Sequence, residues 1–245
     1  MSPPNHGTKI ISSIKEIVEY LTLAHKGLRL IDSNNIQGTL NFAMKMQAGG
    51  YQLIDPCIKY SDLNIIQDQY KVWIKFNSTD IEFPKVWEIG GRIKKSLDHI
   101  SKKLPKFQTI TDLHVYEDGS LCLCTPTYFY LKYKNGISIQ QFIEELVIPF
   151  FYYQSYLSTH NKEPYPGSGH GDLGILEYLA DNRRQDQINS LTIKYLSQKT
   201  VDLIVKKRPS SKRLCICGSG KPGIICHRSA IIGAKILYKY LKYRY

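Results

Sequence analysis

Apolar side chains at the N-terminal end of the chain follow a helical period. They recur every three or four positions, at Ile10, Ile11, Ile14, Ile17, Val18 and Leu21. This spacing places them on one face of an α-helix, which needs a partner surface to cover it. We therefore predict an amphipathic helix over residues 8–25, and a polar break follows at residues 32–35.

The pattern then changes to one typical of strands. Three runs rich in β-branched and aromatic residues are separated by turn residues, at 38–46, 51–60 and 70–76. In the third run Val72 and Ile74 share one face of a strand, and Trp73 lies on the other. These runs predict an antiparallel β-meander with one buried face.

Helical patterns return in the second half of the chain. Ser138 is a suitable N-cap for a helix that extends to residue 157, and further helical segments are predicted at 173–182 and 186–205. Helices on either side of a meander predict an α+β fold. The Arg-Pro-Ser-Ser-Lys run at 208–212 is typical of a linker. We therefore predict one α+β domain over residues 1–205 and a small basic tail over 206–245.

The charge of the chain is concentrated in that tail. Residues 199–245 contain twelve Lys or Arg and one acid, Asp202, and so carry +11 of the net +12. Nucleic acid, an acidic protein surface or anionic lipid suits such a segment, and so does a merely solvated, solubilising role. The chain shows no signal-peptide pattern and no apolar run long enough to span a bilayer. We expect a cytoplasmic protein that does not contact membranes.

Cysteines at both ends of a glycine-rich turn indicate a metal site in the tail. Residues 215–227 read Cys-Ile-Cys-Gly-Ser-Gly-Lys-Pro-Gly-Ile-Ile-Cys-His. Thiolates and imidazole are zinc ligands, and glycine allows the sharp backbone turn between them. We predict a structural Zn²⁺ held by Cys215, Cys217, Cys226 and His227. Four protein ligands leave the metal no open position, so it would not catalyse; the alternative is free thiols in a basic tail.

The spacing of these ligands is similar to that of a known motif. Cys-x-Cys, eight residues and Cys-His, with Gly-Ser-Gly-Lys after the second cysteine, resembles the SEC-C motif. The resemblance implies a small structural zinc module that docks to other macromolecules. A phosphate-binding loop is excluded because Pro222 stands where such a loop has Ser or Thr.

Another cysteine segment lies near the middle of the chain. Residues 113–126 read Leu-His-Val-Tyr-Glu-Asp-Gly-Ser-Leu-Cys-Leu-Cys-Thr-Pro. Cys122 follows an Asp-Gly turn and is flanked by leucines. This setting suits a nucleophile held on a rigid element, and it also suits an ordinary buried cysteine in a strand, which the residues alone favour. The residues alone leave both interpretations open.

This segment resembles the active-site segment of ubiquitin-conjugating enzymes. The likeness rests on His114, the Asp118-Gly119 turn and the Leu-Cys-Leu run around Cys122. The order of elements is also similar: N-terminal helix, meander, Phe-Pro-Lys-Val at 83–86, this segment, and a helix. The His-Gly-x-x-Gly-Ile-x-Glu-Tyr run at 170–178 is similar to one in bacterial members from anti-phage defence operons, CBASS among them. The resemblance spans residues 8–180.

The resemblance implies a ubiquitin-conjugating-enzyme-like fold and a function in antiviral defence. Cys122 would accept the C-terminus of a partner protein as a thioester from an activating enzyme and transfer it to an amine. The partner would be a ubiquitin-like protein or a nucleotidyltransferase that makes cyclic oligonucleotides. His114 matches the histidine of the family's His-Pro-Asn signature, but Val115 and Tyr116 replace its Pro and Asn. His170, or a backbone amide near Cys122, is the candidate for the role of that Asn.

The alternative function is that of a binding module without enzymatic activity. Tyrosines alternate with Lys and Arg near the C-terminus, a composition suited to base stacking and phosphate contacts. In this interpretation the zinc knuckle and basic tail bind nucleic acid or protein, and Cys122 is inert.

Overall fold

The protein divides into two compact units, which are described separately. The computed structural model describes residues 9–47, 50–62, 64–76, 83–125, 128–129, 132–133, 135–164, 172–182, 196–210, 212–215 and 220–244. Unit 1 comprises residues 1–123 and 133–166, and unit 2 comprises residues 124–132 and 167–245.

Unit 1 combines a sheet with helices. Its elements are α1 (Ile14–Ala24), β1 (Leu28–Asp32), β2 (Asn35–Gln47), β3 (Gly50–Ile54), β4 (Ile65–Lys75), β5 (Lys85–Glu88), α2 (Arg92–Lys103), a 3₁₀ turn (Ile110–Leu113), α3 (Ile139–Phe142), a π-helical segment (Ile143–Val147) and α4 (Ile148–His160). The last three follow one another without a break. The predicted α+β class is confirmed.

The sheet is antiparallel, with strand order β1-β2-β4-β5 and β3 paired to β2. The long strand β2 carries two partners on one edge: β1 pairs with its first residues and β3 with its last. Its other edge pairs with β4 from Asn35 opposite Lys75 to Lys45 opposite Ile65. The predicted antiparallel sheet is therefore present, but the predicted meander is wrong, because β3 and β4 each pair with β2 and β4 does not follow β3 in the sheet. The run predicted at 51–60 is a strand only as far as Ile54.

One face of the sheet forms the core of unit 1. Val72 and Ile74 are fully buried, as their alternation predicted. On the same strand Tyr70 stacks on Phe151 of α4, with ring centroids 4.4 Å apart. Burial of such large apolar and aromatic side chains is the main force that holds helices on a sheet.

Side-chain caps fix the starts of two predicted helices. Ser13 caps α1 in a capping box with Glu16, so the first helix begins at Ile14 and not at residue 8. The predicted N-cap Ser138 is confirmed, because its hydroxyl accepts a hydrogen bond from the Gln141 N–H at 3.1 Å. Each such cap satisfies backbone donors that the first helical turn leaves unpaired.

Unit 2 is helical in its described part. Its elements are α5 (Asp172–Asn182), α6 (Gln198–Lys206), α7 (Gly223–Cys226) and α8 (Arg228–Arg244). Their shared core consists of Ile175, Leu176, Leu179, Leu196, Ile204, Ala230, Ala234, Leu237 and Leu241. The domain boundary predicted between residues 205 and 206 lies inside this unit. The division into a domain over residues 1–205 and a basic tail over residues 206–245 stays a prediction.

The helices α5 and α8 approach each other closely at Gly233. A Cβ atom at this position would lie 1.7 Å from the Leu176 carbonyl oxygen of α5. Only glycine allows the two backbones to come this near, since any other residue would collide with the main chain. The contact explains a glycine inside a helix, where it is otherwise unfavourable.

Candidate functional site

Cys122 lies at the end of a short hairpin. Tyr116 N–H donates to the Ser120 carbonyl at 2.8 Å, Gly119 N–H donates to the Tyr116 carbonyl at 2.9 Å, and Val115 pairs with Leu121. Gly119 has φ of +79°, in the left-handed region that the tight turn requires and glycine adopts at low cost. The Asp-Gly turn predicted before Cys122 is confirmed.

The hairpin is bonded to the end strand of the sheet. Leu121 N–H donates to the Val86 carbonyl of β5 at 2.8 Å, and the Trp87 indole N–H donates to the Asp118 carbonyl at 3.1 Å. Trp87 itself stacks on Trp73 with ring centroids 4.5 Å apart. These contacts anchor the turn from two directions, so the residue that follows it has a defined position.

The Asp118 carboxylate stabilises the turn. It accepts hydrogen bonds from the Ser120 hydroxyl and N–H, and the Lys85 ammonium lies 3.0 Å away. The two bonds from Ser120, followed by that from Lys85, lower the pKa of Asp118 from 3.8 to about 2. The carboxylate is therefore charged throughout the neutral range and already engaged in the turn, which argues against its use as a base.

The Cys122 thiol is half-buried and has a hydroxyl partner. Its N–H donates to the His114 carbonyl at 2.8 Å, and its Sγ accepts a hydrogen bond from the Tyr116 hydroxyl at 3.1 Å. Burial raises the pKa of the Cys122 thiol above its ordinary value, while the Tyr116 hydrogen bond acts in the opposite direction. The resting side chain is thus a thiol at neutral pH, with a donor already beside its sulfur.

His114 reaches Cys122 through the backbone. It follows the 3₁₀ turn in a left-handed conformation, with φ of 60° and ψ of 39°. Its carbonyl holds the Cys122 N–H, and its ring packs edge-on against Tyr153 with centroids 6.2 Å apart. The geometry gives His114 a structural contact to the cysteine segment; its catalytic role stays a prediction. His170, the other candidate, lies outside the described residues.

A buried glutamine supports the segment before His114. Gln154 of α4 is 2% exposed, and its side-chain amide donates to the Leu113 carbonyl at 2.8 Å. Because a buried hydrogen bond is costly to lose, this contact fixes the 3₁₀ turn against the helix. Sequence reasoning missed both Gln154 and the role of Tyr116. The sequence did contain a signal for Tyr116, because a residue with a hydroxyl group stands where the His-Pro-Asn signature has its Asn.

Three of the four predicted zinc ligands come together in unit 2. The Nδ1 atom of His227 lies 3.3 Å from Cys215 Sγ and 3.2 Å from Cys226 Sγ, and all three ligand atoms lie within 4.8 Å of one another. Tetrahedral zinc, with Zn–S of about 2.3 Å and Zn–N of about 2.0–2.1 Å, separates neighbouring ligand atoms by about 3.5–3.8 Å. The donor set and spacing therefore fit a metal ion. Cys217 lies outside the described residues.

Two backbone hydrogen bonds and one helical turn position these ligands. Cys215 N–H donates to the Lys221 carbonyl and Gly223 N–H to the Arg213 carbonyl, each at 2.8 Å. Residues 223–226 then form the short helix α7, which presents Cys226 and His227 beside Cys215. A Cβ atom on Gly223 would lie 2.6 Å from an Ile231 side-chain carbon. Glycine at 223 therefore lets the start of α7 pack on α8.

The ligand cluster predicts a measurable metal content. We expect purified protein to contain about one zinc per chain, because two thiolates and an imidazole in this geometry form a ready site. Replacing Cys226 with serine should weaken zinc binding about 100-fold or more, since loss of an outer-shell partner alone costs about 10- to 100-fold. Elemental analysis after dialysis measures the content, with Cys57→Ser at an exposed cysteine as the control. Equal zinc in both variants would contradict the site.

Comparisons with protein-family models, with curated proteins and with solved structures found no match to this chain. Among the residues that the structure describes, no helix is both long enough and apolar enough to cross a bilayer.

Proposed function

We propose that the protein is a ubiquitin-conjugating-enzyme-like transferase. Its Cys122 thiol would form a thioester with the C-terminal carboxyl group of a partner protein and pass the acyl group to an amine. The observation that carries the proposal is the Cys122 sulfur itself: half-buried, fixed by a hairpin on the sheet, and 3.1 Å from the Tyr116 hydroxyl. The partner is a ubiquitin-like protein or a nucleotidyltransferase, and the setting is bacterial anti-phage defence.

The order of elements in unit 1 supports the proposal. Helix α1 precedes an antiparallel sheet, the Cys122 hairpin follows strand β5, and the helices α3 and α4 come after it. This is the order that the sequence resemblance implied. We propose that unit 1 has the ubiquitin-conjugating-enzyme-like fold, with α2 as an additional helix between β5 and the cysteine segment.

The main requirement of the acyl-transfer reaction is a thiol held in a defined position. The Cys122 thiol loses its proton to solvent, its sulfur attacks the carbonyl carbon of an activated thioester, and the donor thiolate leaves and is protonated. An amine then attacks the new thioester, the C–N bond forms, the C–S bond breaks, and Cys122 regains a proton. Thioesters are intrinsically reactive toward amines, so orientation of the acceptor supplies most of the acceleration.

The environment of the Cys122 sulfur suits a residue that carries an acyl group as a thioester. A thiol whose pKa is raised by burial resists adventitious alkylation and oxidation in its resting state. The same burial makes the thiolate a poorer leaving group, which slows loss of the acyl group until an acceptor is in place. A thioester at Cys122 should therefore persist long enough to be isolated.

Incubation with candidate partners tests the transferase. The protein is combined with ATP and the products of the genes that neighbour its own, then run on a non-reducing gel. We expect an adduct that a thiol reductant removes and that free lysine discharges into an amide product. The absence of an adduct with all of these proteins contradicts the proposal.

The cluster in unit 2 has a docking role in this proposal. Zinc held by Cys215, Cys217, Cys226 and His227 would be structural, because four protein ligands leave it no open position. The SEC-C-like knuckle would then present a fixed surface to the partner protein or to the acceptor. Its function is recruitment, while the reaction takes place at Cys122.

A second candidate function is nucleic-acid binding by unit 2. The observation that favours it is the exposure of the cations in its described part, which are Lys132, Lys199, Lys206, Lys207, Arg208, Lys212, Arg213, Lys221, Arg228, Lys235, Lys239 and Lys242. Exposed Lys and Arg neutralise phosphates and release counterions, which gives affinity without sequence preference.

Charge reversal on α8 tests this second candidate. The triple variant Lys235→Glu, Lys239→Glu, Lys242→Glu changes exposed side chains and leaves the buried face of the helix intact. If the helix binds nucleic acid, retention should fall and the salt slope should decrease by about 0.7–0.9 per lost phosphate contact. The control makes the same change at exposed Lys59, Lys94 and Lys95 of unit 1. Equal retention by the two triple variants would reject α8 as the binding surface.

A further inference from the structure

Tyr116 brings its hydroxyl to the sulfur of Cys122. The Oη to Sγ distance is 3.1 Å, and residue Tyr116 is 47% exposed. The backbone of Tyr116 is fixed on both sides, since its N–H donates to the Ser120 carbonyl and its carbonyl accepts from the Gly119 N–H. The hairpin therefore holds the phenol beside the thiol before any partner arrives.

We propose that the Tyr116 hydroxyl is a catalytic residue that donates a hydrogen bond to the Cys122 sulfur during acyl transfer. This inference rests on the proposed transferase function. It assigns a donor at the position where the ubiquitin-conjugating signature has asparagine. Tyr116 thus stabilises the negative charge on the Cys122 sulfur, both when the thioester forms and when it is cleaved.

The hydrogen bond assists each step in which Cys122 carries negative charge. When the thioester forms, the Cys122 thiol loses its proton and Tyr116 stabilises the attacking thiolate. When an amine takes the acyl group, the C–S bond breaks, its electron pair returns to sulfur, and the same hydroxyl stabilises the departing thiolate. Tyr116 keeps its own proton throughout, so the balance of the reaction is unchanged. Hydrogen bonds to charged acceptors are the stronger class.

Other groups near the hairpin have different contacts. His114 bonds to Cys122 through its carbonyl, and its ring packs on Tyr153. The Asp118 carboxylate is engaged by Ser120 and Lys85. Burial and the Tyr116 hydrogen bond are the influences on the pKa of the thiol. Removal of the Tyr116 hydroxyl should therefore change the titration of Cys122.

Alkylation kinetics of Cys122 test the donor without any partner. Full-length protein is treated with iodoacetamide across a pH series, and modification is quantified by mass spectrometry from fragment ions that localise it to Cys122, which separates it from Cys57 and from Cys124. In Tyr116→Phe the midpoint of the rate profile should rise by up to about one pH unit. Below the midpoint alkylation should slow about threefold, because a tenfold loss of thiolate is partly offset by higher nucleophilicity.

The control is Tyr60→Phe, which removes a hydroxyl that donates to the Asp55 carbonyl and should leave the profile unchanged. If an adduct forms, its discharge to free lysine should be about tenfold slower in Tyr116→Phe. An unchanged midpoint overturns the assignment whatever the conjugation assay shows, and so does unchanged discharge. A shifted midpoint with no adduct contradicts the transferase instead, and leaves Tyr116 as a thiolate donor.

Discussion

Replacing Cys122 with alanine is expected to abolish the partner adduct completely. Alanine has no nucleophile, and sulfur elsewhere in the chain cannot take its place on the hairpin that fixes residue 122 to β5. Cys122→Ser should give a different result, because a serine ester resists thiol reductants and is cleaved by alkali. The adduct should therefore change from thiol-sensitive to thiol-resistant, with much slower formation because the hydroxyl is a weaker nucleophile.

The matched control for the two Cys122 variants is Cys57→Ser. Cys57 is exposed and lies in the same unit, so it offers the same chemical change at an accessible thiol. We expect its adduct to form at the wild-type rate and to remain thiol-sensitive. Persistence of a thiol-sensitive adduct in Cys122→Ala would show that another cysteine is the nucleophile and would refute the assignment of this role to Cys122.

Gly233→Ala should strongly destabilise unit 2. The new Cβ would lie 1.7 Å from the Leu176 carbonyl oxygen, so α5 and α8 must move apart along the core they share. Overpacking of this kind costs about 1–3 kcal/mol and more where backbone is the obstacle, against a gain of about 1 kcal/mol from the higher helix propensity of alanine. We expect a net loss of about 2 kcal/mol, or about 30-fold faster amide exchange in both helices.

Hydrogen exchange read by mass spectrometry on peptides from α5 and α8 measures this loss locally. The control is Gly50→Ala, where an added Cβ meets no atom within 4 Å and should change exchange in neither unit by more than a small factor. Unchanged protection of α5 and α8 in Gly233→Ala would mean that the helices do not pack backbone to backbone at this point.

Much of unit 1 follows from local patterns in the sequence. The alternation around Val72 and Ile74 placed the buried face of the sheet, and Ser138 marked a helix start, because each depends only on near neighbours. Helix α2 escaped prediction. Residues 92–106 are rich in Lys and Arg, and the two buried residues that hold this helix, Ile93 and Ile100, lie seven positions apart, so no continuous apolar stripe marks it.

The packing of unit 2 depends on contacts that the sequence does not display. Nothing local indicates that Gly233 meets the Leu176 carbonyl, or that residues 124–132 belong with residues 167–245. The metal cluster could be predicted from the sequence because its ligands lie within thirteen positions of one another and glycines mark the turn. Short-range chemistry could thus be predicted, whereas close approach of distant backbones could not.

The Cys122 site likewise combines features that the sequence displays with contacts that it does not. The Asp-Gly turn and the cysteine after it are visible in the sequence, and the hairpin confirms the turn. The bond between Tyr116 and Cys122 depends on hairpin register, which brings residues six positions apart into contact across the turn. For the same reason His114, the obvious candidate by motif, contacts Cys122 through its main chain.

The most direct test of the central claim is peptide mapping of the adduct. The thiol-sensitive species from the conjugation assay is digested under mildly acidic, non-reducing conditions and sequenced by mass spectrometry. We predict a cross-linked peptide in which the Cys122 sulfur is joined to the last residue of the partner protein, with the loss of one water. Attachment at Cys57, at Cys124 or at a lysine, or through an internal residue of the partner, would contradict the account.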